Sequence, residues 1–403
     1  MTKELAEKLS ELMGAVTGFI YPNELEIHWS ILIVVYPYIT GLVAGAFILA
    51  SLVQVFNVKE VQPTYRLALL TALAFLLIAP LPLLLHLSRP ERSYEIFLTP
   101  QLGSAMAMFG FVYLWYLMAV LLLEIWFEYR RDLVVWSKGE KAPMKWIHRA
   151  LSLFSSDVSE GAVEFDKKAI KVITVIGIPS AFILHGYVGF IFGSVKANPW
   201  WSSVLMPIVF LMSAIVSGIA LVVFLYMVIT PLRGEGIDMR CLDKITSYLF
   251  YAVIVDFTLE GLDFIHRLYE SEESIKILSK LVTDKLFVSL WVIQILLGMV
   301  IPLAIMVVVK SLKFTEELRK LFYFLSAILI QLGIFATRWN VVIGGQLFSK
   351  SFRGLTTYKM DVVGIEGLFA AMVLLILPFI VLTILLKILP AWEPSSAEEG
   401  TAS

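Results

Sequence analysis

Three carboxyl side chains, Asp256, Glu260 and Asp263, stand inside a run of otherwise apolar residues, with His266 and Arg267 just beyond them. Their i, i+4, i+7 spacing puts all three on one face of a helix. If that run crosses a bilayer, an ionisable group near its centre costs about 2.5–3.5 kcal/mol, so each is a candidate for function. A stepped row of carboxyls can relay protons. It can also serve as polar glue between helices, or pair with Arg or Lys. The histidines follow a pattern too: His28 opens the first apolar run, His86 closes the second, and His185 lies well along the fourth, with Tyr187 and Arg338 at similar depth. His and Tyr donate and accept hydrogen bonds and exchange protons, as a quinone carbonyl or quinol hydroxyl requires. Taken singly, each is explained as an interfacial histidine or a tyrosine of the aromatic belt. Taken together on one side, they point to a quinone site at the outer edge of a membrane.

Two other readings use the same residues. A b-type haem needs a histidine on each of two facing helices, and His86 with His185 form such a pair, so haem b stays open as an alternative. A secondary transporter or ion carrier would use the carboxyl row within a two-bundle fold that alternates its access. A purely structural anchor for a soluble oxidoreductase is a third.

The elements that must position these groups follow from composition. Of 403 residues, 59% are hydrophobic and 16% charged, and the mean hydropathy is +0.84, far from the roughly 45–50% apolar and 25% charged of soluble domains. The apolar residues come in blocks of about the 20 residues with which a helix crosses a hydrocarbon layer. Spans are expected near 29–56, 66–87, 103–127, 169–193, 201–229, 245–266, 286–309, 319–338 and 364–388. The fold class is therefore an all-α integral membrane protein with about nine transmembrane helices. A net charge of −1 offers no basic face for nucleic acid. The single cysteine, Cys241, rules out a disulfide framework and a Cys-ligated iron–sulfur or zinc site built from this chain alone. No metal is expected on the chain, and any cluster must belong to a partner.

Residues 1–27 read as an amphipathic interfacial segment, a helix over residues 1–26 with Lys3, Glu4, Glu7, Lys8 and Glu11 among apolar residues. Residues 28–338 form the core, 339–363 a hairpin-like outer loop with Gly344, Gly345 and Gly354, 364–388 a last span and 389–403 a disordered tail. The long connection 128–168 holds an amphipathic stretch, 144–154, suited to the membrane surface. In the second span, Ala79-Pro80-Leu81-Pro82 breaks or kinks the helix. A weak internal echo sets Trp29-Ser30, Gly41 and Gly45 against Trp201-Ser202, Ser213 and Ser217, as two related four-helix bundles would. Small-xxx-small spacing recurs in any packed membrane helix, which explains the echo equally well. With the N-terminus outside, inner segments hold 19 of the 32 Lys and Arg. That bias places the C-terminus in the cytoplasm of a cell whose cytoplasmic membrane the chain crosses.

His86-Leu-Ser-Arg-Pro-Glu-Arg and His185-Gly-Tyr-Val-Gly189 resemble two signatures of the polysulfide reductase membrane-subunit (NrfD/PsrC) family, LGRPER and H-x-Y-x-G. Arg338-Trp-Asn-Val-Val-Ile-Gly-Gly-Gln346 is similar to its long-form members, of the kind called DsrP or HmeB. The resemblance implies a haem-free, menaquinone-reactive subunit, without metal of its own. It also implies an extracytoplasmic ferredoxin-like partner that holds iron–sulfur clusters, within a respiratory complex for sulfur compounds. By position, His28 and Tyr187 match the family's quinone-binding His and Tyr. Asn23 or Glu24 stands where an asparagine is expected, and Ser88 replaces a glycine in the motif that contains Arg89.

Overall fold

The computed structural model describes residues 16–101, 103–139, 143–270 and 274–392. Nine long helical rods follow one another among the described residues. They are Ile31–Gln54; Tyr65–Ile78 continued by Leu81–His86; Ala105–Trp115, running through a π-helical turn at Tyr116–Leu121 into Leu122–Gly139; Glu160–Gly193; Met206–Leu232; Met239–Glu270; Phe287–Val300 continued by Ile301–Ser311; Glu316–Val342; and Leu368–Ile388. Numbered in this order, eight are long and apolar enough to cross a membrane. The sixth, with 32 residues, has the length and carries the three carboxyls. The chain is an all-α integral membrane protein.

Helices are the form that such apolar runs must take, because lipid offers no partner to an open backbone N–H or C=O. Where a helix breaks, something else serves. Pro80 has no N–H to give Leu76, and the Tyr113 hydroxyl donates to the Leu76 carbonyl instead, at 2.8 Å. The second span accordingly stops at Ile78 and resumes at Leu81. The last carbonyls of the eighth span, and one in the turn just beyond it, are met in the same way. Trp200 Nε1 donates to the Asn340 carbonyl at 2.8 Å, Trp201 Nε1 to Val341 at 2.6 Å, and Asn198 Nδ2 to Gly345 at 2.7 Å.

Spans one to four pack as one bundle and five to eight as a second, while the ninth lies against the second and first. The bundles meet where spans one and five cross at Gly45 and Gly218. A Cβ on Gly45 would stand 2.1 Å from the Ala214 carbonyl oxygen, and one on Gly218 would stand 2.3 Å from the Gly45 carbonyl carbon. Only glycine allows that approach. The echoed tryptophans, Trp29 and Trp201, stack on one another with centroids 5.1 Å apart.

Three expectations change. The third and fourth spans run well past their apolar blocks, to Gly139 and back to Glu160, so the surface connection shortens. It keeps its amphipathic helix, Met144–Leu151, which exposes Trp146 and Leu151. The expected N-terminal helix falls partly on residues 1–15, outside the described residues. The stretch after residue 15 is extended: strand β1 (Thr17–Phe19) pairs antiparallel with β2 (Arg353–Leu355), Gly18 opposite Gly354. Gly18 has φ +85°, and a Cβ there would meet the Arg353 carbonyl oxygen at 2.1 Å. The outer loop does turn back on itself, with Phe348 bridged to Leu355, but β1 adds a strand that the loop alone did not disclose. Of the tail, residues 393–403 lie outside the described residues.

Candidate functional site

The two bundles enclose a polar seam centred on Arg338 of the eighth span. Arg338 has no solvent exposure. Its Nη2 donates to Ser213 Oγ at 2.7 Å and to the Phe210 carbonyl at 3.4 Å, and it faces His185 Nε2 at 3.2 Å. The guanidinium lies over the Phe210 ring, 4.2 Å from its centre. A guanidinium can only donate, so His185 Nε2 must accept and its proton sits on Nδ1. Nδ1 stands 3.3 Å from Thr40 Oγ1, whose own hydrogen goes to the Tyr36 carbonyl at 3.1 Å, leaving a lone pair for the imidazole. Gly41 makes room for the ring: a Cβ there would be 3.2 Å from His185 Cε1.

Across from Arg338 lie Asp256 and Glu260, the carboxyls whose charge acts on it. Asp256 is 1% exposed, and its Oδ1 has no hydrogen-bond partner in the protein; neither have Nε and Nη1 of Arg338. Glu260 Oε2 accepts from Gln294 Nε2 at 2.7 Å, its Oε1 from Thr337 Oγ1 at 3.4 Å, and Asn340 Nδ2 donates on to Gln294 Oε1 at 2.7 Å. Asp263 belongs to a different unit. It is ion-paired to Arg267, with Nε at 2.8 Å, and accepts from Ser203 Oγ. Of the three-carboxyl row, the structure therefore holds Asp256 and Glu260 within electrostatic reach of Arg338, and ties Asp263 to a fixed cation.

His28 stands apart from this seam. It lines a cavity of about 340 Å³ together with Asn23, Glu24, Trp29, Asn198, Trp201 and Gln346. Glu24 fastens the outer loop, accepting from Ser349 Oγ and from the Lys350 backbone N–H at 3.1 Å. The Tyr358 hydroxyl, pushed above the usual tyrosine range by burial, accepts from the Ile31 N–H at 3.1 Å, so the loop also caps the first span. Aromatic rings connect the cavity to the seam. Trp201 meets Phe192 at 5.5 Å, Phe192 meets Phe210 at 5.7 Å, and Phe210 stacks on His185 at 5.9 Å.

The expected single cluster of His28, His86, His185 and Tyr187 is thus spread out. Tyr187 lies within electrostatic reach of Tyr36, as does Tyr113, and does not line the His28 cavity. His86 Nδ1 is 2.9 Å from Glu366 Oε2. Arg89 is exposed, and Arg92 pairs with Glu95 at 2.8 Å. For haem, an iron would have to displace Arg338 or Thr40 to reach a ring nitrogen of His185. Two buried carboxyls escaped the sequence reading, Asp166 of the fourth span, which is tied to Arg130, and Glu124 in the third span. Glu124 falls inside the expected span 103–127, so the rule that singled out Asp256 applies to it equally.

With this geometry in hand, comparison with known proteins is decisive on family. A family model described as polysulphide reductase, NrfD, matches residues 22–350. The chain belongs to the NrfD family. Its matched stretch takes in both bundles and ends in the outer loop, leaving the ninth span beyond it. This NrfD-family chain is 32% identical over 322 residues to a selenate reductase subunit of Mesobacillus selenatarsenatis, covering 78% of the chain and 73% of that relative. It is 30% identical over 200 residues to a Halobacterium salinarum protein provisionally named as a dimethyl sulfoxide reductase membrane subunit, covering 48% and 41%. To the Hdr-like menaquinol oxidoreductase integral membrane subunit of Archaeoglobus fulgidus it is 24% identical over 341 residues, covering 83% and 74%.

Proposed function

We propose that the chain is the quinone-reactive membrane subunit of a respiratory redox complex, exchanging electrons between menaquinone and an iron–sulfur subunit seated on the His28 side. The observation that carries this reading is the continuous path from the His28 cavity, through adjoining aromatic rings, to the His185–Arg338 seam and its two carboxyls. The residues at the cavity suit a quinone headgroup: His28, Asn23, Asn198 and Gln346 carry hydrogen-bonding side chains, and the Trp29–Trp201 stack brings flat apolar faces to the same place. A bound quinone supplies two-electron, two-proton chemistry in a form that dissolves in lipid.

What the chain supplies is position and proton handling. His28 holds a donor or acceptor at the rim, and the Tyr187 hydroxyl offers another deeper in the first bundle. Asp256 and Glu260 are the groups placed to hold and pass protons, with Arg338 as their counter-charge. The arginine turn (Arg89, Arg92) and the outer loop, which exposes Val362, Val363 and Ile365, offer a docking surface for the iron–sulfur subunit. We put that surface outside the cytoplasmic membrane, a reading that the Lys/Arg bias supports. A relative named as a menaquinol oxidoreductase subunit and another named as a selenate reductase subunit support a respiratory setting; that sulfur compounds are the terminal acceptors is our proposal from the sequence resemblance.

Two substitutions test the site. His28→Ala or Tyr187→Phe removes one hydrogen-bonding group and should lower quinol-dependent turnover by at least about tenfold, equivalent to about 1.4 kcal/mol, without loss of membrane assembly. Unchanged quinol kinetics in both variants would take these residues out of the site.

A further inference from the structure

We propose that Glu124 is a second proton-exchanging carboxyl, reached from the membrane face opposite His28 through Asp132 and Glu128 and backed by the Tyr116 hydroxyl. This deepens the proton-coupled function and rests on it for the fate of the proton; the geometry itself does not.

Glu124 has no solvent exposure. Its Oε1 lies 3.1 Å from the Tyr65 hydroxyl and 2.9 Å from Thr174 Oγ1, while its Oε2 is buried with no hydrogen-bond partner in the protein. A buried polar atom left in that condition calls for a reason. The surroundings suit either protonation state. With the carboxylate present, Tyr65 and Thr174 both donate to it. With the acid present, Thr174 can turn its hydrogen to the Ile170 carbonyl, 2.8 Å away, and accept from the carboxyl instead. A purely structural glutamate has no need of partners that can reverse.

The groups on either side form a row along the third span. Toward the surface, Glu128 stands one helical turn from Glu124 and Asp132 one turn further, both held by Arg66 at 2.7 and 2.8 Å. Their side chains are 14% and 29% exposed, so the row reaches solvent at that end. Toward the interior, the Tyr116 hydroxyl is also buried without a hydrogen bond, and it feels the Glu124 charge. Between Tyr116 and Glu124 the helix widens into a π turn, Tyr116–Leu121, a form that often marks functional positions. The remaining titratable neighbours are committed: Tyr129 lies under Arg66, 4.6 Å from the guanidinium, and Asp166 of the fourth span is tied to Arg130. In the transfer, an O–H bond at Glu128 breaks as one forms at the Glu124 carboxyl. Glu128 recovers a proton from water, and no electrons move.

Infrared difference spectra of the whole protein in lipid, freed of quinone and taken between acid and alkaline buffer, test the assignment. Wild type should give a carboxylic C=O band that Glu124→Gln removes and that shifts on transfer to D2O, with Glu128→Gln slowing that shift. Gln keeps the shape and the acceptor for Tyr65 and Thr174. If that variant fails to insert, Glu124→Asp should insert and retain a displaced band. Absence of any Glu124-dependent band, or a band indifferent to D2O, would overturn the proposal. A Glu124 band that survives in a chain unable to bind quinone would fault the quinone reading alone.

Discussion

Arg338→Gln removes the cation at the centre of the seam, and its cost can be worked from the contacts. The guanidinium gives three hydrogen bonds, to Ser213, Phe210 and His185, and side-chain bonds inside membrane proteins average about 0.6 kcal/mol each. That term comes to about 2 kcal/mol. The second term is electrostatic: Asp256 and Glu260 lose their counter-charge, and breaking a buried pair by removing one partner costs about 3–5 kcal/mol when the remaining charge cannot escape. Here it can escape by taking up a proton, so the second term lies between zero and that limit, and the total should fall at about 2–7 kcal/mol. Thermal unfolding in nanodiscs, followed by circular dichroism, measures it. Arg338→Lys should recover part of the loss, since it keeps the charge and gives up the fork. Adding Asp256→Asn to Arg338→Gln should also recover part, with a coupling energy of about 1–3 kcal/mol. A single variant within about 0.5 kcal/mol of wild type, or a double variant whose losses simply add, would refute Arg338 as the counter-charge of Asp256.

Asp256→Asn keeps the shape but cannot titrate, so quinone affinity should stay near wild type while turnover slows severely; normal turnover in the same membranes would leave Asp256 as helix glue. Gly218→Ala drives a Cβ into the Gly45 backbone and should cost at least about 1–3 kcal/mol. Gly186→Ala, whose Cβ would meet nothing nearer than 3.9 Å, should be nearly neutral, and equal unfolding midpoints for the two would undo the argument from close approach. Glu24→Gln removes the ion pair with Lys350 and weakens the loop's anchor. Amide hydrogen exchange at Lys350 should quicken, and an unchanged rate would mean that the β1–β2 pairing holds the loop unaided.

Depth along the membrane was legible in the sequence, because a run of apolar residues reads directly as helix length once lipid is the solvent. So was the break at Pro80, which follows from a missing N–H. Direction around each helix was not. His185 turns toward the bundle interface, His28 toward a cavity beside the outer loop and His86 toward Glu366, although all three fall toward the same end of the bundles. The extra length of spans three and four rests on a buried pair, Arg130 with Asp166 at 2.7 Å, whose partners are 36 residues apart and give no local signal. The β1–β2 pairing joins three-residue segments at opposite ends of the chain and is still less visible. The Asp263–Arg267 pair, by contrast, could have been read from its i, i+4 spacing alone.

The weak echo between Trp29-Ser30 and Trp201-Ser202 gains a physical meaning from where its small residues stand. Gly41 of the first bundle leaves the space in which the His185 ring sits, and its echo, Ser213, supplies the hydroxyl that fixes Arg338. Further along the same helices, Gly45 meets Gly218 and holds the two backbones in contact. The two halves therefore contribute matching positions to one His–Arg contact: one gives room, the other gives a hydrogen bond. Lipid cannot drive such helices together as water would, so close packing and shared polar groups must do so. The same arrangement shields the centre of the seam, leaving Arg338 and His185 with no exposure. Under the proposed function, a proton bound for Asp256 is handed on by side chains that reach the rims of the two bundles.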